Sequence, residues 1–495
     1  MISKIIAELI YYAEKHLYLL DSDKIYLENI LLHFFGATEP YEGEINKRDI
    51  ENMEVPDNIV SEIVEYCLLH GDDEKEAERK ADFAFGIVSP LPSLVNGAFE
   101  EFKASDSTTA LQFLKALGTS NYYFQKTKVE RNKEWIATFE DGPNIGVSIN
   151  LSKPEKNNKD IAKLLTTAST NYPKCALCVE NLGYYGDDKH AARMTIRYVP
   201  LTLAGERWYL QYSPYGYFRN HCIAFKEDHV PMKVERKTFD RLLSFVEQFP
   251  VYFMGSNSDL PIVGGSILNH EHFQGGSPVL PLFAAKDKEV VFTSGKGTKV
   301  SKVDYYTNTI RIYGTDKEDI MDLGEKILNA WRIYDNEELG IIHESEGNRH
   351  NTVTSYALKR GDEYQLIIVL RCNITTEEYP DGVFHAHPEY HAIKKEGIGL
   401  IECAGQFILP ARLERQMVEA EKSVNMSKEE YLKKYPDMAL FEDMISAMKD
   451  NPSLDVATYI NRVCRNILRN VAVFKEDEKS EKAYDAFLKE ALNQL

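Results

Sequence analysis

Gly264-Gly265-Ser266-Ile267-Leu268-Asn269-His270-Glu271-His272-Phe273-Gln274-Gly275-Gly276 holds two histidines and a glutamine at alternate positions between pairs of glycines. On a strand, residues i, i+2 and i+4 share one face, so this spacing predicts that His270, His272 and Gln274 point into one cavity. An imidazole with one nitrogen free can attack phosphorus, and an amide N–H beside it can stabilise the charge that develops. The glycines would let the backbone approach a phosphate closely. A bare His-x-His would more often be a set of satisfied polar groups or a metal cluster without catalysis; the glutamine and the glycines in register tip the reading to a nucleophile.

Outward from this stretch the periodicity changes with position. Phe239, Leu242, Leu243 and Val246 form one apolar helical face ended by Pro250, and the strand Val251 to Met254 follows. Ile145 to Leu151 and Trp208 to Tyr212 alternate as strands, as do the apolar runs Leu366 to Leu370 and Ile398 to Leu409. Before residue 89 the spacing of Ile5, Leu9, Ile10 and Ala13 is helical, until Ser89-Pro90-Leu91-Pro92-Ser93 breaks the pattern. From Arg412 onward it is helical again, with a capping box at Ser427-Lys428-Glu429-Glu430. The chain therefore reads as α+β in four sections: 1–88 helical, 89–300 and 301–410 mixed, 411–495 helical. Each mixed section ends in a His-x-His pair, the second being His385-Ala386-His387, which suggests an internal duplication.

The 495 residues are 43% apolar and 27% charged, as expected of a soluble globular protein able to bury a large core. A net charge of −19 disfavours nucleic acid and anionic membrane surfaces as partners, while a few cationic or N–H groups could still hold a small phosphate ester. Glu8 and Glu14 interrupt any signal-like run, and no stretch approaches the roughly 20 apolar residues that span a bilayer, so a cytoplasmic protein is expected. Seven scattered cysteines look like reduced thiols. Only Cys175 and Cys178 have chelating spacing, and by themselves they are read equally as core thiols or as half of a zinc site.

His-x-His-x-Gln resembles the signature of the histidine-triad superfamily, and Gly255-Ser256-Asn257-Ser258-Asp259-Leu260-Pro261 leading into Gly265-Ser266 is similar to the second, mainly bacterial type of galactose-1-phosphate uridylyltransferase. The similarity runs from about Pro90 to Pro410. It implies two tandem histidine-triad-like α/β half-barrel units with helical extensions, a uridylyl carrier at His272 oriented by His270, and a phosphoryl contact at Gln274. It also implies a structural zinc held by Cys175, Cys178, His229 and His270, and substrate contacts drawn from Asn257, Gly265, Ser266, Asn351, His385, His387 and Glu402. A second metal at His385 and His387 is doubtful, because the acidic ligand expected soon after the nucleophile is replaced by Leu280-Pro281-Leu282-Phe283; hydrogen bonds to sugar or protein are the competing role. Tyr209, Tyr212, Tyr215, Tyr217 and Phe218 could stack a uracil ring or simply pack as core.

The resemblance further implies a homodimer that passes UMP from UDP-glucose to galactose 1-phosphate, giving UDP-galactose, by double displacement. Two other readings stay open: a phosphorylase or hydrolase of dinucleoside polyphosphates, and a non-catalytic zinc-stabilised nucleotide sensor.

Overall fold

A computed structural model describes residues 1–152 and 171–493. Its centre is a ten-stranded sheet in the order β3 (Val199–Leu203), β4 (Glu206–Tyr212), β5 (Cys222–Lys226), β7 (His272–Gly276), β6 (Phe253–Ser256), β13 (Asn351–Arg360), β14 (Glu363–Cys372), β10 (Thr309–Gly314), β9 (Lys299–Val303), β8 (Asp287–Thr293). All neighbours are antiparallel. The sheet has two halves of identical connectivity. β3-β4-β5, the helix Arg236–Gln248 and β6-β7 repeat as β8-β9-β10, the helix Lys317–Arg332 and β13-β14. In each half the fifth strand inserts beside the third, giving the order 1-2-3-5-4, and the two fourth strands meet at the centre through Gly255↔Tyr356. The short hairpin β11 (Glu344–Ser345) and β12 (Asn348–Arg349) interrupts the second half before β13.

Alternation along the strands divides the residues between two cores. On one face, Trp208, Leu210, Ala224, Phe273, Met254, Ala357, Leu366 and Ile368 pack against the buried sides of the two helices and the N-terminal helices, with the Trp208 and Phe273 rings stacked at 4.7 Å. Each large side chain removed from water in this way contributes about 1.5–3 kcal/mol before entropy is charged against it. On the other face lie Phe253, Tyr356, Leu358, Ile367 and Val369, together with His272 and Gln274. A three-stranded sheet, β1 (Lys133–Phe139), β2 (Gly142–Asn150) and β15 (Gln406–Pro410), and the helices between Arg412 and Val471 make a further core.

Most expected elements form within a residue or two. The strand expected at 251–254 is Phe253–Ser256, displaced because Tyr252 still turns on the carbonyl of Phe249. The run Ile398 to Leu409 is not one strand: Leu400–Cys403 is a helical turn, Glu402 accepts the Gly399 N–H, and Gly405 (φ +88°) reverses the chain into β15. Local polar capping and a left-handed glycine override the apolar pattern there.

Candidate active site

Two thiols and two imidazoles converge at one end of β5 and β7. Cys175, Cys178, His229 and His270 place one ligand atom each within 4.8 Å of all the others. The separations are 3.6 Å between the sulfurs, 3.2 and 3.7 Å from His270 Nδ1 to Cys175 and Cys178, and 3.0 Å from His229 Nδ1 to Cys178. Bonds of about 2.3 Å to sulfur and 2.0–2.1 Å to nitrogen give tetrahedral edges of about 3.4–3.8 Å, so the cage fits a zinc ion with small adjustment. His270 Nε2 donates to the Lys226 carbonyl (2.8 Å), which leaves Nδ1 with its lone pair toward the sulfurs, as a metal-ligating histidine requires. Burial pushes the Cys175 thiol up to about 12, so an ion in the cage would have to supply the field that holds the thiolates.

His270 lies outside the strand that carries His272 and Gln274, but on the same side, where its ring meets that of Phe225 edge to face at 6.1 Å. β7 begins at His272, and His270 lies just before it with its ring drawn to the cysteines. His272 and Gln274 do share a face, paired across to Phe225 and Ile223 of β5. His272 Nδ1 donates to the His270 carbonyl (2.8 Å), and because a carbonyl only accepts, the neutral ring carries its lone pair on Nε2. Burial pulls the His272 pKa down to about 4, so the ring is neutral near pH 7. A neutral ring with a lone pair on Nε2 has the form that nucleophilic attack requires.

Beside Gln274 stands His221, which the sequence reading did not single out. His221 Nε2 donates to Gln274 Oε1 at 3.0 Å. Its ring stacks on Tyr217, which stacks in turn on Tyr215, while Tyr212 is buried elsewhere in the main core. Also missed was the charge network below the loop: Glu271, between the two motif histidines, is buried against Arg241 (2.6 Å), which grips Glu206 with two further nitrogens. The signal was a carboxylate set between the two motif histidines, but its partner is 30 residues away and only folding pairs them.

Asn257, Gly265 and Glu402 gather around Gly399: a Cβ on Gly265 would stand 2.6 Å from Asn257 Nδ2, and Asn257 Oδ1 accepts the Leu400 N–H. Glu402 is held by Lys394 (3.0 Å). Ser266 is exposed in the same loop. The glycines that flank the motif serve close protein packing: a Cβ on Gly264 would meet the Ser258 carbonyl and one on Gly275 the Phe253 carbonyl, at 2.7 and 2.3 Å. Asn351 is buried and donates to the carbonyls of Trp331 and Tyr334. His385 accepts the Ile398 N–H, and His387 donates to the Val383 carbonyl, so both engage protein groups. Among the described residues the Cys–His cage is the one grouping of metal-ligand side chains of this kind.

Comparison with known proteins adds the following. Residues 22–231 match the family model described as galactose-1-phosphate uridyl transferase, N-terminal domain, and residues 217–435 match its C-terminal domain. A galactose-1-phosphate uridylyltransferase from Caldanaerobacter subterraneus is 37% identical, covering 95% of this chain and 94% of that one. The enzymes of that name from Clostridium acetobutylicum (36%, 99% of each) and Bacillus subtilis (37%, 94% and 93%) are similar over comparable lengths. The crystal structure of yeast Ap4A phosphorylase Apa2 superposes with a TM-score of 0.32 at 11% identity, over 65% of this chain and 91% of that one.

Proposed function

The chain belongs to the galactose-1-phosphate uridylyltransferase family and is a nucleotidyltransferase, and from that premise we propose that it moves UMP from UDP-glucose to galactose 1-phosphate by double displacement through His272. The observation that carries the mechanism is the His272 ring itself, neutral and tethered at Nδ1 so that Nε2 bears the lone pair.

In the first half-reaction Nε2 attacks the α-phosphorus of UDP-glucose, the P–O bond to glucose 1-phosphate breaks, and a uridylyl-imidazole remains. In the second a phosphate oxygen of galactose 1-phosphate attacks the same phosphorus and frees His272 as UDP-galactose leaves. One cavity can thus serve two similar sugar phosphates in turn. Gln274, two residues along the same strand face, supplies N–H donors to the phosphoryl oxygens, where charge builds in the transition state. Asn257, Gly265, Ser266, Asn351, His385, His387 and Glu402 are the proposed candidates for the remaining substrate contacts.

Cys175, Cys178, His229 and His270 would hold a structural zinc that fixes the segment preceding the nucleophile. The repeated 1-2-3-5-4 connectivity supports reading the two halves as tandem histidine-triad-like units. On the same reading the enzyme acts as a cytoplasmic homodimer on UDP-glucose, UDP-galactose and hexose 1-phosphates, without nucleic acid or membrane; no helix among the described residues is long and apolar enough to cross one.

Intact-protein mass after incubation with UDP-glucose tests the carrier. A uridylyl adduct that maps to His272, is removed by galactose 1-phosphate and is lost in His272→Gly is the expected result. An unmodified protein that still turns over, or full activity in His272→Gly, would exclude this carrier.

A further inference from the structure

We propose that His221 is a positioning residue of the transfer reaction, fixing which end of the Gln274 amide faces the phosphoryl group. This rests on the reading of Gln274 as a phosphoryl contact. A glutamine amide is nearly symmetric in shape but opposite in polarity at its two ends, so an untethered Gln274 could present Oε1 and repel the phosphate as readily as present its NH2. His221 sits just before β5 where that strand runs beside β7, and its Nε2 and Gln274 Oε1 are 3.0 Å apart. With Nε2 protonated the oxygen is held on the histidine and both amide hydrogens are left to donate elsewhere. A bound phosphate rewards that arrangement and penalises the flipped one, so the two interactions select each other.

The imidazole is itself held. It is 3% exposed, lies between the rings of Tyr217 (5.3 Å, 26° between planes) and Phe218 (4.6 Å), and its main chain is pinned by bonds from Ser213 N to its carbonyl and from its N–H to Phe218 O. The other nitrogen, Nδ1, is buried without a hydrogen-bond partner. In the alternative tautomer a buried N–H would be orphaned there, which is the rarer defect in folded proteins. The tautomer that donates to Gln274 avoids it. None of this requires His221 to touch substrate.

The test is a double-mutant cycle on transfer from UDP-glucose to galactose 1-phosphate. His221→Leu is expected to lower kcat by roughly 10- to 100-fold with a much smaller change in KM, since loss of a whole oxyanion donor costs on the order of 10²-fold. In the Gln274→Ala background the same change should alter the rate by less than about threefold, because there is no amide left to orient. An equal loss in both backgrounds, or a His221→Leu enzyme at wild-type rate while Gln274→Ala is slow, would overturn the positioning role and leave the Gln274 reading standing. Gln274→Ala at wild-type rate would remove both. Should the leucine variant not fold, His221→Gln and His221→Asn decide: the glutamine amide reaches the Nε2 position and should retain most of the rate, the shorter asparagine should not, and equal rates refute the proposal.

Discussion

His272 and Gln274 are separated by one residue and divide the chemistry between them. Their pairing on one face follows from strand alternation and was readable from spacing alone. Gln274→Ala should slow transfer by on the order of 10²-fold in steady-state assays, the loss expected for one oxyanion donor, and an unchanged kcat would show that the amide is not aimed at the phosphate. His270 precedes the strand, and its two nitrogens are taken up by the Lys226 carbonyl and the cysteine sulfurs. For the cage, metal analysis of the purified protein is expected to find about one zinc per chain, and Cys178→Ser should lose that zinc and melt at lower temperature. Retention of full metal content would move the site elsewhere.

The loop from Asn257 to Glu271 and the strand it feeds depend on contacts that no single segment contains. Arg241, on the helix Arg236–Gln248, is buried between Glu271 and Glu206, and its guanidinium lies 5.6 Å from the Trp208 ring centroid. Removing the cation would strand the buried Glu271 carboxylate, whose pKa burial already pushes up. Arg241→Met is therefore expected to cost about 3–5 kcal/mol in urea unfolding, whereas substitution of exposed Arg207 should cost about 1 kcal/mol or less. The helix carrying Arg241 was legible from the spacing of Phe239, Leu242 and Val246, but that spacing says nothing of Arg241. What buries it is the sheet beside it, where Glu206 and Trp208 of β4 and Glu271, just before β7, meet its guanidinium.

Two buried imidazoles, those of His221 and His385, make folding sensitive to acid. Burial lowers their pKa values to about 4 and about 3, against about 6.5 in the unfolded chain. Below pH 6.5 the unfolded state binds the proton first, so stability is fully present above that pH and falls as pH drops toward the folded values. For His221 alone the loss between pH 7 and pH 5 is about 2 kcal/mol. Unfolding curves of wild type and His221→Gln should differ in that pH dependence by about this amount, and parallel curves would mean that the imidazole is accessible to protons in the folded protein.

The α+β class, the helical ends and the nucleophile stretch all rest on local rules: period 3.6 against period 2, proline breaks, and chelating or alternating spacing within a few residues. These survive folding because they concern neighbours in sequence. His221 beside Gln274, Arg241 under Glu271 and the matched connectivity of the two half-sheets join residues tens to more than a hundred positions apart. Such contacts leave no periodic trace, since a polar residue has the same pattern whether it meets water or a partner in the core, and only the packed sheet decides which it meets.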